Sequence, residues 1–335
     1  MNLLRSCFVI LALSASALVH ADESQWLTFP GGQGPGAGKK IVLIAGDDEY
    51  RSEEALPLLA HILSTQHGFH CTVLFPIEPE SGKVKPDYQN NIPGMEHLAE
   101  ADLVVLGLRF RELPDEQMRY FDEYVNSGKP IIGLRTATHS FNYEKKKDSP
   151  YAHYDWRSST WPGGFGQQVL GETWISHHGN HRSEATRGVI NWQLRDHPIL
   201  RGVKDVFGPT DVYGIRNLGA DADVVMFGAV LEGMNPTDKA VNGEKNSPLM
   251  PLVWTKSYTG RSGRPSRVVC TTMGAAVDLL CEDLRRMLVN ACYWSLGMEA
   301  SIPERAEVSI PASYQPTFYG FGSYKKDLKP ADFKP

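Results

Sequence analysis

The densest group of side chains able to do chemistry is Trp174-Ile175-Ser176-His177-His178-Gly179-Asn180-His181. On a helix, His177 and His181 share one face at i and i+4, a spacing that can hold a divalent metal, with His178 as a third ligand. Gly179 weakens such a helix, and no HExxH pattern accompanies it. The same imidazoles suit substrate hydrogen bonding or proton transfer, because an unperturbed histidine titrates at about 6.5. His139 is the other histidine candidate for proton transfer. A divalent metal is therefore the one cofactor the pattern admits, with metal-dependent hydrolysis as one alternative chemistry.

A second group is charged. Asp47, Asp48, Tyr50 and Arg51 follow one apolar run, Arg109 follows another, and Arg135, Thr136 and His139 follow a third, with Glu172 and Trp174 further on. Buried charges need partners or a ligand. If these runs are strands of one sheet, Arg109, Arg135 and Asp48 converge, Arg135 either binding an oxyanion or pairing with Asp48. A mixed-charge crevice flanked by aromatics suits a hydroxyl-rich ligand such as a sugar. The expected catalytic set is His139, His177, Asp48 and Arg135. Asp47, Tyr50, Arg51, Arg109, Thr136, Glu172 and Trp174 are expected to bind substrate.

The elements that must position these residues are legible as an alternation. Lys40–Ala45 is an all-apolar run of the kind buried on both faces of a parallel sheet. Ser52 then opens a helix to about Gln66, with Glu53 and Glu54 in its first turn. Further strands are expected at 69–75, 102–108 and 130–134, with a helix over 114–126 between the last two. This order predicts an α/β fold, a doubly wound, mostly parallel, flavodoxin-like sheet with right-handed crossovers. Ligands of such sheets bind beyond the carboxyl ends of the strands, which is where the charged groups fall. Less regular strands are expected at 189–194, 224–231, 252–258 and 267–272, and a closing helix at 279–296. The aromatic- and histidine-rich stretch from about 140 to 187 reads as an insertion over one sheet edge.

The flanks carry different signals. Residues 1–21 combine Arg5, a short apolar run and Val19-His20-Ala21, the pattern of a cleaved secretory signal, too short for a membrane span. A secreted or periplasmic location is expected. Gly31 to Lys39 is glycine-rich like a phosphate loop, but it precedes the first main strand and its lysine is not followed by Ser or Thr. Residues 22–38 are accordingly expected to be a flexible linker, 39–298 the α/β domain, and 299–335 an irregular tail. With 335 residues, 41% apolar and net charge −5, the chain reads as globular, without the basic field that nucleic acid requires. Cys71, Cys270, Cys281 and Cys292 form no CxxC pair and are expected as free thiols. Composition leaves a homo-oligomer open.

The segment Gly133-Leu134-Arg135-Thr136-Ala137-Thr138-His139-Ser140-Phe141 has the form of a strand entering a sharp elbow. The loop with Gly46, Asp48 and Arg51, the 171–181 segment, Asp196-His197-Pro198-Ile199, Pro251-Leu252-Val253-Trp254 and Arg267 to Gly274 complete a set. Together, over about Lys39 to Met298, these motifs resemble the ThuA-like (trehalose utilisation) family. The resemblance implies a glutamine amidotransferase-like fold and a place in carbohydrate catabolism, where family members have been linked to 3-keto-glycosides. Class I glutamine amidotransferases carry a nucleophilic cysteine at this elbow. Here the position is Arg135, which is no nucleophile, so glutaminase activity is not expected. Three functions remain: acid/base chemistry on an oxidised glycoside, carbohydrate binding without catalysis, or metal-dependent hydrolysis at His177, His178 and His181.

Overall fold

The computed structural model describes residues 25–335. The expected signal segment, 1–21, lies outside the described residues. In chain order the elements are β1 (Trp26–Phe29), β2 (Lys40–Gly46), α1 (Ser52–His67), β3 (His70–Leu74), a small hairpin of β4 (Ile77–Glu78) and β5 (Lys83–Val84), β6 (Leu103–Leu108), α2 (Asp115–Val125) and β7 (Ile131–Leu134). There follow β8 (Thr186–Ile190), β9 (Phe207–Gly208), β10 (Asp223–Val230), β11 (Met250–Thr259), β12 (Pro265–Thr271) and α3 (Glu282–Ser295).

Ten strands form one mixed sheet in the order β1-β3-β2-β6-β7-β12-β11-β10-β8-β9. The block from β3 to β12 is parallel, while β1 and the four strands beyond β12 run antiparallel. The apolar strands of the parallel block are covered on both faces. In β2, Ile41, Leu43 and Ala45 enter the core layer shared with α1 and α3, while Val42 and Ile44 enter the layer shared with α2. That alternation is the two-residue period of a strand. Pairing of Gly46 with Leu108 and of Leu134 with Thr271 brings the carboxyl ends of four strands to one rim.

Several expectations are corrected. The supposed linker contains β1, which pairs with β3 and buries Leu27 and Phe29. The alternation of Trp-Leu-Thr-Phe is short, and the adjacent glycines mask it. Those glycines form a fixed turn, in which the Gly32 and Gly36 amides donate to Gly68 and His67 carbonyls at 3.2 and 2.8 Å. Gly31 has φ 70°, and a Cβ there would meet the backbone of Gly68 and Phe69, so this turn requires glycine. The crossover from β3 to β6 carries a single 3-10 turn, Met95–Ala99, where a helix would ordinarily lie. The strand expected at 189–194 is displaced to 186–190, and the closing helix begins at Glu282 after a 3-10 turn. The four cysteines of the described residues are free. The tail has only short 3-10 turns, as expected, but it crosses the rim where the strands end. No helix among the described residues is long and apolar enough to cross a membrane.

Phe29→Ala removes a side chain packed in the layer shared with α1. It should lower stability by about 3 kcal/mol in urea unfolding; an unchanged midpoint would show that β1 is not part of the cooperative core.

Candidate functional site

The elbow after β7 is strained. Arg135 has φ 46°, an uncommon conformation for a non-glycine residue, and its amide donates to the Met273 carbonyl at 3.1 Å. A 3-10 turn, Arg135–His139, takes the place of a longer helix. From the elbow the Arg135 side chain runs inward and is 2% exposed. Nη1 donates to the Asp211 and Thr272 carbonyls at 2.6 and 2.7 Å, and Nη2 to Asp211 Oδ1 at 2.9 Å and Tyr50 Oη at 3.1 Å. The guanidinium lies between two rings, 3.8 Å from the Tyr213 centroid and 4.3 Å from that of Tyr50. The pairing expected with Asp48 is corrected: Arg135 pairs with Asp211.

Asp211 is the hub. Its carboxylate also accepts from His177 Nδ1 at 2.7 Å and from His181 Nδ1 at 3.0 Å. Burial alone would raise its pKa, but Arg135 and the two imidazole donors outweigh it and hold the carboxyl below the usual range. Because Nδ1 of His177 donates to a carboxylate, its Nε2 is left as the reactive nitrogen, on a side chain 37% exposed. His181 instead bridges, its Nε2 lying 3.2 Å from Glu49 Oε1. Glu49 is itself raised by burial and by Asp47. No helix holds the two histidines. His177 sits on an isolated bridge to Tyr213 and His181 in the next turn, with ring centroids 4.7 Å apart.

The loop after β2 and the end of β6 form the opposite wall. Arg109 Nη1 donates to Asp48 Oδ1 at 2.9 Å, both side chains being about one-sixth exposed. His139 closes the circuit, its centroid 5.0 Å from Phe110 and 4.9 Å from Trp174, which packs 5.0 Å from His177. Burial, then the nearby charges of Arg109 and Arg135, push His139 well below the ordinary histidine range, so it is uncharged at neutral pH. The tail supplies Tyr319, 5.2 Å from Tyr50 and 5.4 Å from His181. Burial raises Tyr50 to about 12, so its hydroxyl stays protonated.

Other expected site residues turn inward. Asp47 accepts from the Glu49 and Tyr50 amides and from Thr136 Oγ1, tying the first loop to the elbow. Glu172 accepts from the amides of Thr173, Arg216 and Asn217 and anchors the strand-like segment that carries Asp211. His178 points to the Lys245 carbonyl at 2.6 Å, so the metal-type cluster is His177, His181 and Asp211 in place of the three histidines. Asp211, Tyr213, Glu49 and Tyr319 were not expected. The alternation of Asp211-Val212-Tyr213, which places both polar side chains on one face of an extended segment, was the available signal.

The α/β fold is similar to that of a ThuA-like protein of Parabacteroides merdae. That structure is 18% identical, with a TM-score of 0.51, covering 89% of this chain and 99% of its own. A ThuA-like protein of Bacteroides uniformis is also similar, at 15% identity and a TM-score of 0.46, covering 79% of this chain and 93% of its own. The family profile described as trehalose utilisation matches residues 53–295, and the chain belongs to the ThuA family. No curated protein matches the sequence significantly.

Arg51, at φ 63°, is buried beneath the tail. It donates to the Gly320 carbonyl and, at 2.8 Å, to Ser323 Oγ, and lies 3.7 Å from Glu53. Both Glu53 oxygens are buried without a hydrogen-bond partner. Burial raises this carboxyl to about 8 against the pull of Arg51, with Glu54 and Asp47 adding to the rise. With the folded pKa above the unfolded one, the stability contribution is full below about 4 and is lost as pH rises toward 8. Glu53→Gln should therefore flatten the fall in stability between pH 5 and pH 8, measured by chemical denaturation. An equal fall in both proteins would contradict the assignment.

Proposed function

We propose that this chain binds a saccharide at the rim and processes it by acid/base chemistry, with a 3-keto-glycoside as the substrate class. The observation that carries this reading is the Asp211–His177 pair: a buried carboxylate fixes an imidazole whose other nitrogen faces the open rim. That is the arrangement of an oriented general base.

A 3-keto sugar has an acidic C2 proton beside its carbonyl. In the proposed reaction His177 Nε2 takes this proton, the C2 electrons form a double bond to C1, and the C1–O bond breaks. The imidazolium then returns the proton to the departing oxygen. Charge that develops on the carbonyl oxygen needs a cation or hydrogen-bond donor. Arg109, still partly exposed, suits that role. Arg135 does not, because Asp211, Thr272 and Tyr50 occupy both terminal nitrogens; it acts through Asp211 as a positioning residue. Uncharged His139, between Phe110 and Trp174, is suited to bind a hydroxyl or carbonyl. The N-terminal sequence pattern supports placing this activity in a secreted or periplasmic protein.

His177→Ala should lower turnover of 3-keto-glucosides by about 100-fold or more, measured by release of the aglycone. Undiminished turnover in the variant removes His177 as the base, and absence of turnover in the wild type favours binding without catalysis.

A second reading rests on another observation. One donor atom each from His177, His181 and Asp211 lie within 4.8 Å of one another, a spacing one divalent cation can span. The Arg135 guanidinium already neutralises Asp211, which weakens the attraction for a second cation. Untagged protein is expected to contain no stoichiometric metal by elemental analysis and to keep its activity in chelator; a bound equivalent whose removal abolishes turnover would reverse the order of the two readings.

A further inference from the structure

The C-terminal tail is pinned across the rim at several points. Gly320 donates its amide to the Glu49 carbonyl at 2.8 Å, and the buried Arg51 holds the Gly320 carbonyl and Ser323 Oγ. Tyr319 Oη donates to the Pro209 carbonyl at 3.0 Å. Between these anchors the chain cannot swing freely, yet Phe321 is 61% exposed. A large apolar side chain held in water on a fixed turn needs an explanation beyond core packing. The Arg109 guanidinium lies over its ring, 4.9 Å from the centroid, and also 4.5 Å from the Phe110 centroid. Arg109 in turn holds Asp48 through Oδ1, and Asp48 Oδ2 has no protein partner among the described residues.

We propose that Phe321 is a substrate-positioning residue, an aromatic platform for the apolar face of a pyranose ring whose hydroxyls reach Asp48 and Arg109. A pyranose presents one face of C–H groups and an edge of hydroxyls. Beside Phe321 the protein offers the matching pair, an aromatic ring and a half-open ion pair with a spare acceptor. With Phe321 61% exposed, a sugar can reach it without displacing a core contact. This inference rests on the carbohydrate reading of the rim and adds that the tail, outside the span matched by the family profile, contributes to ligand selection.

Calorimetric titration of the full chain with 3-keto-glucose and with glucose tests it, using wild type, Phe321→Ala and Phe321→Trp. Phe321→Ala should weaken binding about tenfold, the size expected for loss of one aromatic contact, while thermal unfolding stays unchanged because the side chain is exposed. Phe321→Trp should restore the affinity. In the catalytic assay the alanine variant should raise KM and leave kcat near wild type. Binding by wild type that is undiminished in Phe321→Ala overturns the platform and leaves the carbohydrate reading standing. Failure of wild type to bind either sugar overturns the carbohydrate reading, and the platform with it.

Discussion

The buried Asp211 carboxylate is the constraint on which the rim depends. Four groups converge on it or its backbone: the Arg135 guanidinium, the two imidazoles and, through Arg135, the Tyr50 hydroxyl. A single buried anion or cation would be costly, and removal of one partner of such a pair typically costs roughly 3–5 kcal/mol. Here the opposite charges are held 2.9 Å apart and both terminal nitrogens are hydrogen-bonded. The elbow strain at Arg135 and the segment between β9 and β10 that carries Asp211 are thereby locked to each other. The sheet supplies the elbow and the antiparallel extension supplies the acid.

This arrangement explains how an arginine can occupy an elbow suited to a nucleophile. The side chain descends between Tyr50 and Tyr213 and serves as an electrostatic support for Asp211. The imidazole left at the rim is that of His177, one hydrogen bond from Asp211. Burial, with the charges of Arg109 and Arg135 adding to it, keeps His139 neutral, so the rim contains one imidazole oriented by a carboxylate and another in an aromatic, cation-flanked setting.

The parallel half of the fold was legible in the sequence because its signals are local. β2, β6 and β7 are apolar runs of the length a doubly covered strand requires, and α1 begins at Ser52, although Arg51 is its N-cap residue and the Ser52 hydroxyl accepts from the Gly46 and Asp47 amides instead of capping the helix. β1 was missed because four alternating residues beside a glycine cluster give too little periodicity. In the site, His177, His181, Arg109, Asp48 and Trp174 were found from residue type and strand ends. Asp211 and Tyr319 were not, since both arrive through pairings far apart in sequence: Asp211 lies 76 residues beyond Arg135, and the Tyr319 hydroxyl reaches back 110 residues to Pro209. The partner of Arg135 was misjudged for the same reason. An arginine at a strand end has a choice of acids, and only the packing of the segment between β9 and β10 decides it.

The anchored tail also sets an order of assembly. On the ribosome, every strand of the sheet is synthesised before Tyr319 and Phe321, so a nascent chain can complete its cores while the rim still lacks one wall. That wall is therefore completed only after the whole sheet has been made. A chain cut before Tyr319 would retain all twelve strands but leave Arg51 without the Gly320 carbonyl to grip.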